Sequence, residues 1–372
     1  MRYNSELVVN LGLLAHNYQL LKKLTKNNET IFMVKADAYG HGIKEIVYYA
    51  FNELKISRFG VASLGEAMNI RESLPTLNCE IWVFSDTELD SEKYKEYYLD
   101  YNIIPVIHDL SDLQNILDDK DYARMPIVIK IDTGMYRLGI SESDIEKMIS
   151  LIKESGRSSI HHLCTHFSGS YIKLKNGDKT SRQYEKFLKI KEVLHDSGIS
   201  IEESSCANSG AIEQGFSLDE SHVRPGLMLY GPSSTISSFS QWQGKTISSF
   251  KTKIMKVIEV KKGMPIGYGG HVCGKDGYVA YVPVGYGDGI LTYYSGLKHK
   301  YLGEDYQILG RINMDLTAIF FENRPPELKR GSEFFFWDST NNNIAELSAQ
   351  LKTIPYQLFT GITSRVPRRY IN

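Results

Sequence analysis

Apolar runs rich in β-branched residues recur between residues 30 and 230, and amphipathic segments of helical length separate them. Helical spacing of the apolar positions is clearest at 43–54, 143–155 and 181–198. Eight runs have the character of strands, at 30–34, 59–63, 80–84, 103–107, 127–131, 160–166, 201–207 and 222–230. This alternation predicts a parallel (β/α)8 TIM barrel. A doubly wound open sheet stays an alternative, because the run at 201–207 carries two adjacent glutamates.

The pattern changes after residue 231. The segment 232–250 is rich in serine and lacks helical periodicity, which is typical of a connection between domains. Beyond it, only 344–352 looks helical. Alternating or aromatic runs broken by glycines predict a mostly antiparallel β domain, and they lie at 251–260, 277–287, 306–321 and 332–338. We therefore divide the chain into a barrel domain, 1–235, whose first few residues are available to pair with the second domain, and a β domain, 236–372.

The amino-terminal segment predicts a helix and not a leader sequence. Leucines at 11, 14 and 21 have helical spacing, and Asn10 stands where a helix cap is expected. The segment lacks a sustained apolar core followed by a small-residue cleavage site. No apolar run approaches the length of a membrane span. We expect a cytoplasmic protein without a membrane partner.

Composition narrows the function classes further. Charged residues make up 23% of the 372 residues and the formal net charge is −1, so no basic surplus points to a nucleic acid partner. The four cysteines lie far apart with no paired spacing, at 79, 164, 206 and 273. Reduced thiols are the simplest interpretation, and no metal site is predicted.

The stretch "FMVKADAYGHG" at 32–42 places Lys35 at the end of the first predicted strand. In such a barrel the chemistry lies at the carboxyl ends of the strands, and phosphate often binds beyond the last two. Ser209 follows the seventh run, and Gly226 lets the backbone amides of Gly226 and Leu227 point at an anion. A lysine facing a phosphate site suggests pyridoxal 5'-phosphate (PLP) attached through the amine. The alternative is a solvated strand-end lysine among ordinary glycine turns.

An ordered series of motifs resembles those of bacterial alanine racemases, a family of fold-type III PLP enzymes. The barrel motifs are "VKADAYGHG", "KIDTGMYRLG" (130–139), "THF" (165–167), "ANS" (207–209) and "RPGLMLYG" (224–231). Those of the second domain are "GYGG" (267–270), "VGYGDG" (284–289), "GRINMD" (310–315) and "IPYQLFTGITSRVPRRY" (354–370). The series spans nearly the whole chain, which makes it far more specific than any one motif. The resemblance implies an amino-acid racemase that supplies D-alanine for peptidoglycan.

The resemblance implies two bases on opposite faces of the substrate α-carbon. Lys35 would carry the cofactor and act as one base, and Tyr268 would be the other. A tyrosine phenol is a weak base at neutral pH, so it needs help. His166 and Arg224 resemble the residues that link this tyrosine to the cofactor ring. The counterpart of Arg224 hydrogen-bonds the pyridine nitrogen, and an arginine will not hand over its proton, which limits side reactions.

The remaining roles are also implied by the resemblance. Arg137 and the backbone amide of Met314 would hold the substrate carboxylate. Lys130 matches a position that is carbamylated in many members of the family, and a plain lysine beside Asp132 is the alternative. The positions that match phosphate contacts are Tyr39, Ser209, Gly226, Leu227 and Tyr356. In the family Tyr268 and Met314 reach into the partner's barrel, so a homodimer with two shared sites is implied.

Three positions depart from the family pattern. Tyr171 stands where an acidic residue is usual, and Thr292 lies near the place of an entrance arginine. Ser205 stands where a histidine commonly supports the ring-bound arginine. These departures leave serine or broad-specificity racemisation open. Because Tyr356 is retained and keeps the side-chain pocket small, we predict a preference for alanine, with serine second.

Three rival functions are weaker. A non-catalytic PLP carrier would resemble only the barrel half. A PLP decarboxylase should be longer and should have a nucleophilic or acidic residue in place of Tyr268. A dehydrogenase would need a G-x-G-x-x-G motif after its first strand, and the sequence has none there.

Overall fold

The computed structural model describes residues 5–26, 28–89, 91–236, 239–339 and 343–372. The chain begins with strand β1 (Ser5–Asn10) and helix α1 (Leu11–Thr25). The predicted cap is confirmed, because the Asn10 side chain accepts a hydrogen bond of 2.9 Å from the backbone N–H of Leu13. Residues 1–4 of the predicted barrel domain, and residues 237 and 238 of the serine-rich segment, lie outside the described residues.

Eight parallel strands close into a barrel in chain order, which confirms the TIM barrel and excludes the open sheet. They are β2 (Glu29–Met33), β3 (Arg58–Ser63), β4 (Glu80–Asp86), β5 (Ile103–Ile107), β6 (Val128–Lys130), β7 (Ser159–Cys164), β8 (Ser200–Asn208) and β9 (His222–Arg224). The predicted run at 222–230 was wrong in its second half. Strand β9 stops at Arg224 because Pro225 has no backbone N–H to donate, and a helix follows.

Helices follow the barrel strands and pack on the outside through one apolar face. In the helix Ile43–Asn52 the buried side chains recur at Ile43, Ile46, Val47 and Ala50, the spacing of one helical face. The helices of the barrel are α2 (Lys35–Gly40), α3 (Ile43–Asn52), α4 (Leu64–Ser73), α5 (Lys95–Asp100), α6 (Leu110–Asp118), α7 (Ile145–Glu154), α8 (Lys179–Asp196), α9 (Ser209–Glu213) and α10 (Leu227–Tyr230). Among the described residues, no helix combines the length and apolar character that a bilayer span requires.

The second part of the chain is mostly antiparallel β, as predicted. Its strands are β10 (Ser248–Lys253), β11 (Lys256–Val260), β12 (Pro265–Ile266), β13 (His271–Val272), β14 (Gly277–Val282), β15 (Lys298–Tyr301), β16 (Glu304–Ile308), β17 (Thr317–Phe321), β18 (Glu333–Trp337) and β19 (Arg368–Ile371). One sheet has the order β18-β10-β1-β19, a second has β11-β14-β17-β16-β15, and β12 and β13 form a two-stranded ribbon. Within these sheets β1 and β19 are the one parallel pair among the described strands.

The described residues of this part include two short α-helices, and only one was predicted. Helix α11 (Ile344–Gln350) agrees with the predicted segment, whereas α12 (Pro355–Thr360) was not expected. Pro355 occupies the first turn of α12, where a missing N–H costs nothing. Helix α12 packs closely against α2 of the barrel. The approach is so close at Gly40 that a Cβ there would lie 2.3 Å from the carbonyl oxygen of Phe359. The four cysteines are free and buried, as expected.

Candidate active site

A cavity of about 640 Å³ opens at the carboxyl ends of the barrel strands. Its lining includes four cationic side chains: Lys35, Lys130, Arg137 and Arg224. No carboxylate of the described residues lines it. A volume of this size suits a small ligand, and the excess of positive charge favours an anionic one. Phosphate and carboxylate groups are the chemistry that fits such a lining.

Lys35 begins a turn of unusual handedness. The four residues after it, Ala36 to Tyr39, all have φ between 51° and 55°, so α2 is one left-handed turn made of non-glycine residues. Such a turn costs roughly 1–2 kcal/mol per residue, so tertiary contacts must hold it. Glu66 on α4 supplies one of them, at Ala36, and a second hydrogen bond ties Glu66 itself to β3. Its Oε1 accepts from the Ala36 N–H and its Oε2 from the Ala62 N–H, both at 2.7 Å.

The surroundings of Lys35 favour its neutral amine. The Lys35 side chain lies at the open cavity, but the protein around it removes part of its hydration. This desolvation lowers the pKa of Lys35, and the positive charge of Arg137 lowers it further, while Glu66 opposes both. A lysine of lowered pKa is a better nucleophile and base at neutral pH.

An anion cradle lies opposite Lys35, between α9 and α10. The Gly226 N–H donates to the Ser209 hydroxyl at 2.9 Å. A Cβ on Gly226 would lie 2.4 Å from the Tyr39 hydroxyl, so only glycine allows this approach. Helix α10 begins at Leu227, where first-turn N–H groups have no intrahelical partner. The phenol ring of Tyr39 lies 5.6 Å from that of Tyr356. The hydroxyls of Tyr39 and Ser209 and the amide at the start of α10 suit a phosphate, so these residues fit PLP.

Arg224, the last residue of β9, is fixed by four hydrogen bonds. Its Nη1 donates to the carbonyl oxygen of Ser205 at 2.7 Å and to the Ser205 hydroxyl. Its Nη2 donates to the carbonyl oxygens of Thr165 and, at 3.4 Å, Cys206. None of the hydrogen bonds in the described chain uses its Nε.

Burial, with Arg224 and other cations nearby, lowers the pKa of His166 well below its ordinary value, so this imidazole is neutral.

Lys130 is buried in the same cavity, with 7% of its surface exposed. Burial lowers its pKa to about 8, and Arg137, Arg224 and Lys35 add to the effect. Asp132 does not pair with it among the described ion pairs. The Asp132 carboxylate instead accepts backbone N–H groups of Gly134 and Met135 at 2.8 Å and of Arg137 at 3.1 Å. Asp132 therefore shapes the loop that carries Arg137.

Two predicted site residues stand apart from this cavity. The Tyr268 side chain lies between β12 and β13 with 70% exposed, and Met314 lies between β16 and β17 with 55% exposed. Neither is part of the cavity lining of the described chain. The other predicted residues do line it, namely Lys35, Tyr39, Lys130, Arg137, His166, Ser209, Arg224, Gly226, Leu227 and Tyr356. Tyr171 lines the cavity too, while Thr292 is exposed elsewhere.

The structure adds site residues that the sequence did not single out. Residues 233–236, interpreted as a connection, form part of the cavity wall. Glu213 on α9 holds this wall, because its carboxylate accepts from the Ser233 hydroxyl and from the Ser234 N–H at 2.7 Å. Phe84 lies under the Arg224 guanidinium, whose Cζ is 6.0 Å from the ring centre. No sequence signal distinguishes these residues, because long-range folding brings them together.

The chain is similar to known alanine racemases along its whole length. The family profiles for the alanine racemase N-terminal and C-terminal domains match residues 9–234 and 247–370. An alanine racemase of Thermodesulfovibrio yellowstonii is 32% identical over 98% of this chain and 96% of the relative. A catabolic alanine racemase of Schizosaccharomyces pombe is 31% identical, with 98% of each chain covered. The solved structure of alanine racemase from Acinetobacter baumannii matches at a TM-score of 0.86 and 27% identity, covering 100% of both chains.

Proposed function

The chain belongs to the alanine racemase family, and we propose that it interconverts L- and D-alanine with PLP bound at Lys35, by a two-base mechanism. The family makes it an isomerase that acts on alanine. One observation carries the proposal for the cofactor. Lys35, with its lowered pKa, shares a cavity with three further cations and the anion cradle, and no carboxylate of the described residues lines it.

The residues of the cavity divide into those for the phosphate and those for the ring. The hydroxyls of Tyr39, Ser209 and Tyr356 and the amides of Gly226 and Leu227 would hold the phosphate. Arg224 would donate its Nε–H to the ring nitrogen, and its permanent charge keeps that proton on the guanidinium. When bound, PLP draws off the electron pair that is left on the α-carbon as its proton departs.

The two proton transfers fall to two side chains. We propose that Nζ of Lys35 would face one side of the α-carbon and Oη of the partner's Tyr268 the other. One group removes the proton and the other delivers one, so the configuration inverts. Arg137 and the amide of the partner's Met314 would hold the substrate carboxylate and so keep the α-carbon between the two bases. This assignment requires a homodimer with two shared sites.

Lys130 would orient Arg137 as a carbamate. In that step the neutral Lys130 Nζ attacks the carbon of carbon dioxide and an N–C bond forms. One C–O π bond breaks as its electron pair moves onto oxygen, and an amine proton passes to solvent, which leaves the carbamate anion. Two features support it: the pKa of about 8 makes the neutral amine available near neutral pH, and the cations around it would stabilise the resulting anion. Enzyme kept free of carbon dioxide should lose activity and regain it with bicarbonate. Unchanged activity would exclude the carbamate.

We propose that substrate choice depends on the part of the cavity wall that the start of α12 supplies. Ile354, Pro355 and Tyr356 at the start of α12 line the cavity, and the Tyr356 ring should leave little room beyond a methyl or hydroxymethyl group. We therefore propose alanine first and serine second. Tyr171 lines the mouth without a charge, so the corridor differs from one with an acidic residue there.

Three measurements on the purified PLP-loaded protein test the proposal. Circular dichroism should show L-alanine and D-alanine each approaching the same racemic mixture. Borohydride reduction followed by peptide mapping should place the cofactor on Lys35. Absence of turnover, or a label on another lysine, would refute it. L-serine should react more slowly than L-alanine, and an L-lysine rate above the L-alanine rate would refute the small pocket alone.

In the cell we propose that the enzyme acts in the cytoplasm and supplies D-alanine for peptidoglycan. Its expression should allow a bacterium that requires added D-alanine to grow without it. Two of its relatives are catabolic alanine racemases, so the opposite flux is the competing role. Failure to restore growth by a protein that racemises alanine in vitro would favour that role.

A further inference from the structure

A chain of hydrogen bonds runs from the cofactor end of the barrel toward its amino end. Arg224 Nη1 donates to the Ser205 hydroxyl, which lies 2.7 Å from Nε2 of His162. Nδ1 of His162 lies 3.4 Å from Oε2 of Glu203, and the same oxygen accepts from Arg58 Nη1 at 2.7 Å. Arg224 ends β9, whereas Arg58 begins β3, so the chain links the two ends of the barrel.

Only one arrangement of protons satisfies this chain. A guanidinium donates and never accepts, so the Ser205 oxygen is the acceptor toward Arg224. The Glu203 carboxylate accepts and does not donate, so the single ring proton of neutral His162 sits on Nδ1 and points to Glu203. Nε2 of His162 is then unprotonated, and the Ser205 hydroxyl donates its proton to it. The structure thus fixes the tautomer of His162 through its neighbours.

Burial and charge keep this arrangement in place. Ser205 and His162 are both 0% exposed. Burial lowers the pKa of His162 to about 3, against the opposing hydrogen bond to Glu203, and His222 and Arg224 lower it further. A neutral imidazole remains an acceptor for Ser205 throughout the working pH range. A protonated one would place a second cation close to Arg224.

The other groups against His162 do not compete for Ser205. Trp82 packs edge-on against the ring at 4.8 Å, and His222 lies 5.3 Å away. His162, Glu203 and His222 are close enough together to hold a metal ion. However, Arg58 Nη1 donates to both Glu203 Oε2 and His222 Nε2, so a guanidinium occupies that place. We assign no metal to this cluster.

We propose that Ser205 and His162 are positioning residues. Together they hold the Arg224 guanidinium in the orientation in which it would donate to the cofactor ring. The effect on the cofactor rests on the proposed function, whereas the hydrogen-bond chain itself does not. Removal of the Ser205 hydroxyl would leave His162 Nε2 without its buried donor and would leave one N–H of Arg224 Nη1 unpaired, since Nη1 keeps only the Ser205 carbonyl oxygen. The Arg224 side chain would then have room to reorient, and the ring nitrogen would lose its aligned donor.

The test compares Ser205→Ala and His162→Phe with a matched control, Ser204→Ala. Ser204 directly precedes Ser205 in β8, but its hydroxyl contacts Glu220 and Lys191 instead of Arg224. Ser205→Ala and His162→Phe should each weaken PLP binding about tenfold, a change typical of a buried polar group left unpaired. They should also shift the visible absorption of the bound cofactor and lower kcat more than they change KM.

Two further measurements separate positioning from loss of structure. The double variant should lose little more affinity than either single variant, because both break one chain. His162→Gln, whose amide can accept from Ser205 and donate to Glu203, should keep more affinity than His162→Phe. PLP affinity and absorption in Ser205→Ala equal to those of Ser204→Ala would overturn the proposal, as would additive losses in the double variant.

Nitrogen NMR of the cofactor-free protein tests the chain without reference to activity. His162 should show a protonated Nδ1 and an unprotonated Nε2, and Ser205→Ala should change the Nε2 signal. The opposite tautomer would overturn the proposal. A wild-type protein that shows the expected tautomer but neither binds PLP nor racemises alanine would refute the proposed function and leave the chain standing.

Discussion

Lys35 and Lys130 bring two amines into one cavity, but their surroundings differ. Lys35 lies at the open side, where Glu66 partly offsets the effects of desolvation and Arg137. Lys130 is buried at the end of β6 among cations, and in the described chain no ion pair compensates it. The first arrangement suits a group that must react with ligands from solvent, and the second suits a group that stays in place and orients a neighbour.

Lys130 should make the stability of the cofactor-free protein depend on pH. Its pKa is about 8 in the folded chain and near 10.5 in an unfolded one, so the unfolded chain binds the proton more tightly. The free energy of unfolding should therefore rise between pH 8 and pH 10.5, by on the order of 3 kcal/mol. Urea unfolding in buffer free of carbon dioxide measures this rise.

Lys130→Met should lose this rise, while Lys44→Met, at an exposed position of α3, should keep it. The same pH dependence in wild-type protein and Lys130→Met would show that burial does not lower the pKa of Lys130.

Gly226 should prove indispensable to the anion cradle. In Gly226→Ala the new methyl group would press on the Tyr39 hydroxyl, 2.4 Å away, and push apart the groups that face the phosphate. We expect PLP binding to weaken about tenfold or more, since overpacking typically costs 1–3 kcal/mol. Equilibrium dialysis gives the dissociation constant. Gly274→Ala is the control, because nothing lies within 4 Å of its Cβ; equal PLP affinity in both variants would contradict the cradle.

Ten predicted site residues line the cavity, because the motifs around Lys35, Arg224 and Gly226 that indicate them are local and ordered. Glu66, His162 and Glu213 could not be predicted from the sequence. Each acts through a partner that is distant in sequence: Glu66 through the Ala36 amide, and His162 through Ser205. Only the closed barrel brings such pairs together, and a single sequence does not show which strands face each other at which level.

At the scale of elements, α2 joins the first barrel strand to the rest of the molecule. It is a left-handed turn, which L-residues disfavour. Its last residue, Gly40, and Gly42 beyond it also have positive φ, 79° and 92°. Glu66 holds its start, and α12 packs against its end. The aromatic ring of Tyr39 reaches the cradle because the chain turns this way, stacking 4.6 Å from the ring of Tyr230.

Glu66→Gln should destabilise this turn. A glutamine keeps one acceptor oxygen and sets an NH2 group against a backbone N–H, so one of the two hydrogen bonds is replaced by a repulsive contact. We expect the free energy of unfolding to fall by about 1–3 kcal/mol. Glu72→Gln, at an exposed position of the same helix, is the control. If chemical denaturation shows no difference between the two variants, Glu66 does not hold the turn.

The sequence predicted that the first barrel strand ends at Lys35, but not the handedness of α2, which follows it. Local preference opposes positive φ at Ala36, Asp37, Ala38 and Tyr39, so the conformation is imposed by contacts with α4 and α12. The end of the eighth run was missed for the opposite reason. There Pro225 is a local signal for the end of a strand. The predicted run extends beyond it because residues 227–230 are apolar.

At the scale of the whole molecule, one chain folds a complete barrel, whereas the proposed racemase site would also need Tyr268 and Met314 of a partner. The regular alternation of strands and helices made the barrel predictable, because the apolar pattern of each element is visible within a short stretch of sequence. The position of the β domain relative to a partner's barrel has no such local signal. Tyr268 and Met314 project from the described surface, as expected of side chains that another subunit would cover.

The central claim is that the two bases of one site come from two chains. Subunits of Lys35→Ala and Tyr268→Phe, carrying different affinity tags, can be coexpressed and the mixed dimers purified. Each variant alone lacks one base at both sites and should be inactive. In the mixed dimer one site regains both Lys35 and Tyr268, so it should show about half the activity of the wild-type dimer. A mixed dimer as inactive as its parents would mean that one chain supplies both bases, and would contradict the account.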